Sequence, residues 1–108
     1  FMPKNVPISI KLVYIFPRPK RLKTKKSPVG FIPHTVKPDI DNLDKLYLDS
    51  LSDQAFHDDN QIYELNSKKV FCSYDPMTKT ESWTGIIINI YRIVNDETDK
   101  LLNDYLPW

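Results

Sequence analysis

The stretch ISIKLVYIF, residues 8–16, decides the fold class because its apolar side chains recur with the two-residue period of a β-strand. One face of that strand would carry Ile8, Ile10, Leu12, Tyr14 and Phe16. Val13 and Ile15 add apolar side chains to the opposite face, so partial burial is expected there as well. This pattern is typical of a strand in the middle of a sheet.

A short helix is predicted over residues 41–52. Leu43, Leu46, Tyr47 and Leu51 recur there at helical spacing. Asp41 is the expected N-cap, since aspartate accepts hydrogen bonds from the free amides of a first helical turn.

Three further elements are predicted towards the C-terminus. Residues 61–74 resemble a long strand, bent near Asn66-Ser67, and residues 83–93 resemble a strand that is buried on both faces at its centre. Residues 96–106 predict a C-terminal helix. The expected fold is therefore a small single α/β domain over residues 1–108, with a mixed β-sheet, one short acidic helix and a C-terminal helix.

The first third of the chain is strongly basic. Residues 1–38 contain nine Lys or Arg and no acid (+9), whereas residues 39–108 contain six Lys or Arg and fourteen acids (−8), which sums to the net charge of +1. Residues 17–38 hold five of the nine prolines and predict a loop. Such a loop is either a solvated, mobile segment or an arm that contacts phosphates. The candidates for DNA contact are Arg18, Lys20, Arg21, Lys23, Lys25 and Lys26.

Composition limits the class of protein. No apolar run approaches the roughly 18 residues of a membrane span, and no export signal is recognisable. Cys72 is the single cysteine, so no internal disulfide forms, and a reducing cytoplasmic location is expected. The abundance of Lys, Asn and Ile hints at an AT-rich phage or prophage genome. The chain starts at Phe1 rather than Met, and the sequence leaves open whether it is a fragment that lacks an N-terminal segment.

Acidic side chains concentrate in KPDIDNLDKLYLDSLSDQAFHDDN, residues 37–60. Asp39 and Asp41 flank a single residue, and in extended backbone alternate side chains point the same way. Lys45 follows Asp41 by one helical turn, on the same helix face. A tight reversal after the helix can bring the pair Asp58-Asp59 back towards it. The sequence therefore offers several carboxylates and one lysine that could converge.

Phosphodiester hydrolysis is a chemistry that this residue set suits. It requires an activated water, neutralised phosphate charge and a stabilised leaving oxygen, which Mg²⁺ bound by hard oxygen ligands provides. Lys45 could stabilise the developing negative charge. Simpler roles also fit each residue taken alone: Asp41 as a helix cap, Asp39 and Asp58 as solvated acids, and Lys45 as a surface lysine. Spacing alone leaves these alternatives open.

Two other kinds of metal site are excluded. An EF-hand loop starting at Asp39 would need Gly at its sixth position and Glu at its twelfth, where this chain has Asp44 and Ser50. One cysteine and two widely separated histidines, His34 and His57, do not form a zinc ligand set.

Four segments together resemble the RusA-like crossover junction endodeoxyribonucleases: PRPKR (17–21), HTVKPDIDNLDKLYLDSL (34–51), HDDNQI (57–62) and LNSKK (65–69). The resemblance implies a homodimeric nuclease, bacterial or encoded by a phage or prophage, that resolves four-way DNA junctions with Mg²⁺, or with Mn²⁺ in its place. No organic cofactor and no membrane is implied.

The same resemblance assigns roles by motif position. Asp39, Asp41 and Asp59 would be the metal-binding acids, Lys45 the catalytic lysine, Asp58 an outer partner of the metal site and Lys69 a phosphate contact. Asp44 departs from the family pattern by placing a charge where an apolar or neutral residue is usual. Family members also usually carry an N-terminal strand and helical segment ahead of the part that begins here.

Two other functions remain open from the sequence. One is a DNA-binding protein of the same fold without catalysis, and the other is a nuclease for different branched DNA, such as a flap or a fork.

Overall fold

A computed structural model describes residues 2–92 of the chain. Its elements, in chain order, are β1 (Ile8–Phe16), β2 (Ile32–Pro33), α1 (Ile40–Leu51), β3 (Ile62–Phe71), β4 (Tyr74–Asp75), β5 (Thr80–Glu81) and β6 (Gly85–Arg92). Two short 3₁₀ turns span Lys20–Leu22 and Asp59–Gln61. No helix within these residues has the length and apolar character that a membrane crossing requires.

The main sheet has four strands in the order β2-β3-β1-β6. β1 and β3 run parallel, with α1 between them in sequence, whereas β6 and β2 pair antiparallel at the two edges. β4 and β5 form a separate hairpin. The expected mixed sheet with one short helix is confirmed, and β1 occupies the central position that its two apolar faces predict.

The core lies between the sheet and α1. Ile8, Ile10, Leu12 and Tyr14 of β1 are buried, and they cluster with Phe56, which follows the helix. The inward face of α1 packs against this cluster through Leu43, Tyr47, Leu48 and Leu51. The Tyr14 hydroxyl donates a 2.6 Å hydrogen bond to the Asp44 carboxylate. Asp44, the residue that departs from the family pattern, therefore anchors α1 to β1.

Several sequence predictions need correction. α1 begins at Ile40, and Asp39 rather than Asp41 occupies the N-cap position. β3 ends at Phe71, so the predicted strand is too long: Cys72 and Ser73 lie outside any strand, and Tyr74 belongs to β4. The loop predicted over residues 17–38 contains a 3₁₀ turn and β2.

The prediction for the last described strand was also wrong. Among the strands of residues 2–92, β6 pairs with β1 alone and lies at an edge of the sheet. Ile87 and Ile88 at its centre are 41% and 38% exposed, so it is not buried on both faces. Its continuous apolar run is typical of a central strand, but the sequence pattern cannot show whether a second strand pairs with β6. The helix predicted over residues 96–106 lies outside the described residues.

Candidate active site

The site is built around the start of α1. Asp39 adopts an extended backbone (φ −70°, ψ 144°), and its side chain makes no capping hydrogen bond. Asp41 lies in the first helical turn, where the free backbone amides favour a negative charge. Both residues are exposed and line one cleft. The sequence analysis assumed extended backbone between the two acids, but Ile40 already belongs to α1, so that alternation does not apply. Both residues nevertheless line the same cleft.

The opposite wall of this cleft comes from β3 and from the segment that links β2 to α1. The lining residues besides Asp39 and Asp41 are Pro33, His34, Thr35, Val36, Ile40, Ser67, Lys68, Lys69 and Val70. The Lys69 ammonium donates hydrogen bonds to the Val36 carbonyl and, at 2.5 Å, to the Pro38 carbonyl. A positive charge therefore lies beside the backbone that immediately precedes Asp39.

His34 closes the inner end of the cleft. It is 7% exposed and stacks on Phe71 at 4.3 Å between ring centroids, with Phe16 at 4.7 Å on a tilted contact. Its Nδ1 accepts a 3.4 Å hydrogen bond from the Val36 amide. Burial lowers the pKa of His34, and the charges of Lys69 and Arg21 lower it further. The imidazole is therefore a neutral, packed group rather than a cation.

The acids that follow α1 lie near its other end. Burial raises the pKa of Asp59, and the neighbouring charges of Asp49 and Asp58 add to this effect. Asp49 lies eight residues beyond Asp41, about 12 Å along the helix axis. Within residues 2–92, no three Asp, Glu, His or Cys side chains meet in a group able to hold a metal ion. The structure thus brings Asp39 and Asp41 together but does not add Asp58 and Asp59 to them.

Local hydrogen bonds explain why the Asp58-Asp59 pair lies where it does. The Asp58 carboxylate accepts a 3.1 Å bond from the Asn60 amide and caps the 3₁₀ turn Asp59–Gln61. The buried Gln61 side chain accepts from the amides of His57 and Asp58 and donates to the carbonyls of Pro3 and Val6. Gln61 therefore ties this acidic turn to the N-terminal segment.

Lys45 lies one turn beyond Asp41 on the exposed side of α1. Asp41, Lys45 and Asp49 share a helix face, so Lys45 lies between the cleft acids and the Asp49–Asp59 group.

The Asp39–Asp41 pair fits a Mg²⁺ ion. This ion is commonly held by one or two carboxylates, and waters and substrate phosphates complete its octahedral shell. Two exposed carboxylates that line the same cleft, one of them free of any capping bond, supply that donor set. A site holding two ions would require further ligands beyond this pair.

The basic segment divides into structural and exposed residues. Arg18 is 3% exposed and donates hydrogen bonds to the carbonyls of Cys72 (2.8 Å), Leu22 (3.2 Å) and Gly30 (2.5 Å), so its guanidinium holds the loop rather than facing solvent. Lys23 forms an ion pair with Glu81. The side chains that remain exposed are Lys20, Arg21, Lys25 and Lys26.

An acidic pair at the start of a helix, beside a neutral histidine and basic side chains, is an arrangement suited to metal-assisted cleavage of a phosphodiester. The family model of endodeoxyribonuclease RusA matches residues 2–90, and the chain belongs to that family. The match covers α1 and the strands β1 to β5 in full, and β6 as far as Ile90. No curated protein matched the chain, and neither did any solved structure.

Sequence reasoning gave no role to His34 or Gln61. Both stand inside the quoted motif segments, which was the one available signal. What they do depends on long-range neighbours, Phe71 for His34 and Pro3 and Val6 for Gln61, that the local pattern does not reveal.

Proposed function

We propose that this protein is a structure-specific endonuclease that hydrolyses phosphodiesters in four-way DNA junctions, with Mg²⁺ as its cofactor and Mn²⁺ as a substitute. The proposal rests on membership of the RusA family. The single structural observation that supports it best is the cleft in which Asp39 and Asp41 face basic residues of β3. The proposed setting is the recombination and repair of bacterial or phage DNA in the cytoplasm.

The acids and the lysine near the cleft would have different roles in the reaction. Asp39 and Asp41 would hold the cation, which when bound supplies an activated water and neutralises phosphate charge. Lys45, one turn along α1, would contact the phosphate and stabilise the negative charge that develops on it. We keep Asp59 as a candidate third carboxylate and Asp58 as its neighbour. Since both lie towards the far end of α1, their participation would require the acidic turn to approach the cleft.

The exposed basic residues would contact the DNA backbone. Lys20, Arg21, Lys25 and Lys26 project from the loop between β1 and β2. The charge of Arg21 acts on His34, which lines the cleft, and this supports a role for the loop in holding the same DNA. A backbone held there would present its phosphates towards Asp39 and Asp41. A homodimer with two-fold symmetry would place two such clefts on symmetric strands of a junction.

The first test compares Asp41→Asn with wild type on a labelled synthetic four-way junction in Mg²⁺, with the products resolved on a denaturing gel. We expect wild type to make paired, symmetric nicks and Asp41→Asn to cleave at least about a hundredfold more slowly, since it loses one metal-binding charge. Junction binding should change little, because the loop lysines are untouched. Asp53→Asn, an exposed exchange outside the cleft, is the matched control and should cleave at the wild-type rate.

Other outcomes separate the alternatives. Junction binding without any metal-dependent product would support a DNA-binding protein that lacks catalysis. Faster cleavage of a flap or fork than of the four-way junction would indicate another branched substrate. Unchanged cleavage by Asp41→Asn would contradict the assignment of the site.

A further inference from the structure

Lys69 holds the segment before Asp39 with both its main chain and its side chain. Its carbonyl accepts a 3.0 Å hydrogen bond from the His34 amide. Its ammonium donates to the carbonyls of Val36 and Pro38. One residue of β3 therefore fixes the beginning, middle and end of residues 34–38.

We infer that Lys69 is a positioning residue for the Asp39–Asp41 pair rather than a phosphate contact. The Pro38 carbonyl belongs to the peptide unit that leads directly into Asp39. Holding that carbonyl fixes the direction in which the chain enters α1, and so the direction of the two carboxylates. The inference rests on the proposed function, because it assumes that these carboxylates receive a divalent cation.

The use of the ammonium supports this role. A lysine ammonium has three N–H donors, and two of them are directed at backbone carbonyls here. The described residues show no ion pair between Lys69 and an acid, since the ion pair found among them is Lys23–Glu81. The carboxylates of Asp39 and Asp41 therefore keep their oxygens for a cation, while the lysine charge acts on the backbone.

Residues 34–38 depend on the Lys69 hydrogen bonds because few of their own backbone amides are available to fix the segment. Pro33 and Pro38 have no amide hydrogen. The amide of Val36 bonds to the His34 ring rather than to another strand. His34 in turn is fixed by its stack on Phe71, two residues along β3 from Lys69. β3 thus holds the segment at two places: the stack of Phe71 on His34, and the hydrogen bonds of the Lys69 ammonium.

The experiment measures cation binding in the full chain without DNA. Mn²⁺ is titrated into wild type, Lys69→Met, Lys69→Arg and Lys4→Met, and binding is followed by the relaxation enhancement of water protons. Removing a positive charge from the cleft would by itself strengthen Mn²⁺ binding. A weaker affinity in Lys69→Met would therefore report lost geometry rather than lost charge.

We expect Lys69→Met to bind Mn²⁺ about ten- to a hundredfold more weakly, the usual cost of losing a group that orients metal ligands. Lys69→Arg should recover part of this loss, and Lys4→Met, an exposed lysine outside the cleft, should match wild type. In parallel, the junction affinity of Lys69→Met measured without metal should stay within about twofold of Lys4→Met. Its single-turnover cleavage rate should fall by about the same factor as the metal affinity.

Two results would overturn the inference: tighter or unchanged Mn²⁺ binding by Lys69→Met, or a weakened junction affinity with cleavage unchanged at saturating DNA. The second would make Lys69 a phosphate contact.

If Lys69→Met does not fold, a measurement on the wild-type chain still tests the positioning role of Lys69. Scalar couplings between the Lys69 Nζ and the carbonyl carbons of Val36 and Pro38 should be detectable by NMR, and an ammonium in free exchange with water would contradict these hydrogen bonds. Mn²⁺ binding that depends on Asp41 in a protein that cuts no junction would refute the proposed function while leaving the positioning role intact.

Discussion

At the scale of single residues, the cleft combines side chains whose charges are set by their surroundings. Asp39 and Asp41 are exposed at the positive end of a helix dipole. His34, a few residues earlier, is kept neutral by burial between aromatic rings. Its neutrality avoids a second positive charge next to Lys69. A packed neutral imidazole thus supports the cleft wall without competing with a cation for the acids.

The lowered pKa of His34 predicts a pH-dependent stability. As the pH falls through about 6.5, the unfolded chain takes up a proton at this residue before the folded chain does. The contribution of neutral His34 to the free energy of unfolding should therefore be fully present above that pH. It should decrease as the pH falls towards the lowered pKa of His34 in the folded state. His34→Phe retains an aromatic ring in the stack but cannot titrate. Urea unfolding of both proteins from pH 8 to pH 5 measures the difference.

Since His57 and all carboxyls are present in both proteins, the difference in their pH slopes isolates His34. Parallel slopes for wild type and His34→Phe would contradict the prediction.

At the scale of elements, Arg18 turns a proline-rich loop into a defined structure. Its guanidinium reaches the carbonyls of Leu22 and Gly30 within the loop and of Cys72 at the end of β3. The Tyr74 ring lies 5.6 Å from it and adds a cation–π contact. Arg18 therefore fixes the loop backbone to the sheet, and the other basic side chains of the loop extend from that fixed backbone.

Arg18→Met should lower the free energy of unfolding by about 2–4 kcal/mol, since it removes a charged donor and leaves buried carbonyls without a partner. The matched control is Arg21→Met, the same exchange at an exposed position, which should change stability by less than about 0.5 kcal/mol. Urea titration at one pH measures both. An equal effect of the two exchanges would mean that the three hydrogen bonds of Arg18 do not hold the loop.

At the scale of the whole molecule, the basic and acidic parts of the sequence lie on different parts of the fold. Exposed cations lie on the loop between β1 and β2, whereas Asp39 and Asp41 line the cleft at the start of α1. A DNA backbone can then be attracted by the loop while a divalent cation is attracted by the acids. Under the proposed function, this separation would let the DNA backbone and the divalent cation meet at one place, as cleavage of a phosphodiester requires.

The double exchange Lys25→Met/Lys26→Met should reduce the dependence of junction affinity on salt. Each phosphate contact contributes about 0.9 to the slope of log K against log salt concentration, so the slope should become shallower by about 2. Lys4→Met/Lys79→Met removes the same charge from exposed positions outside the loop and should leave the slope nearly unchanged. Binding isotherms at several salt concentrations provide the measurement, and equal slopes for the two double variants would exclude the loop as the contact surface.

The sequence by itself determined the central strand, the helix, and the acidic pair at its start. These features depend on local rules: the two-residue period of β1, and the helical spacing of Leu43, Tyr47 and Leu51, which puts Asp39 and Asp41 at the start of that helix. The motif segments also determined the family, which the match over residues 2–90 confirms.

Only the tertiary structure decided which residues work together. It grouped Asp59 electrostatically with Asp49 and Asp58, and it tied their acidic turn through Gln61 to carbonyls at Pro3 and Val6, more than fifty residues earlier. It assigned Arg18 to the loop interior and Lys69 to the backbone before Asp39. It left β6 at an edge although its sequence resembles a central strand. The physical reason is the same in each case: hydrogen-bond partners and burial depend on segments distant in sequence, which local periodicity does not encode.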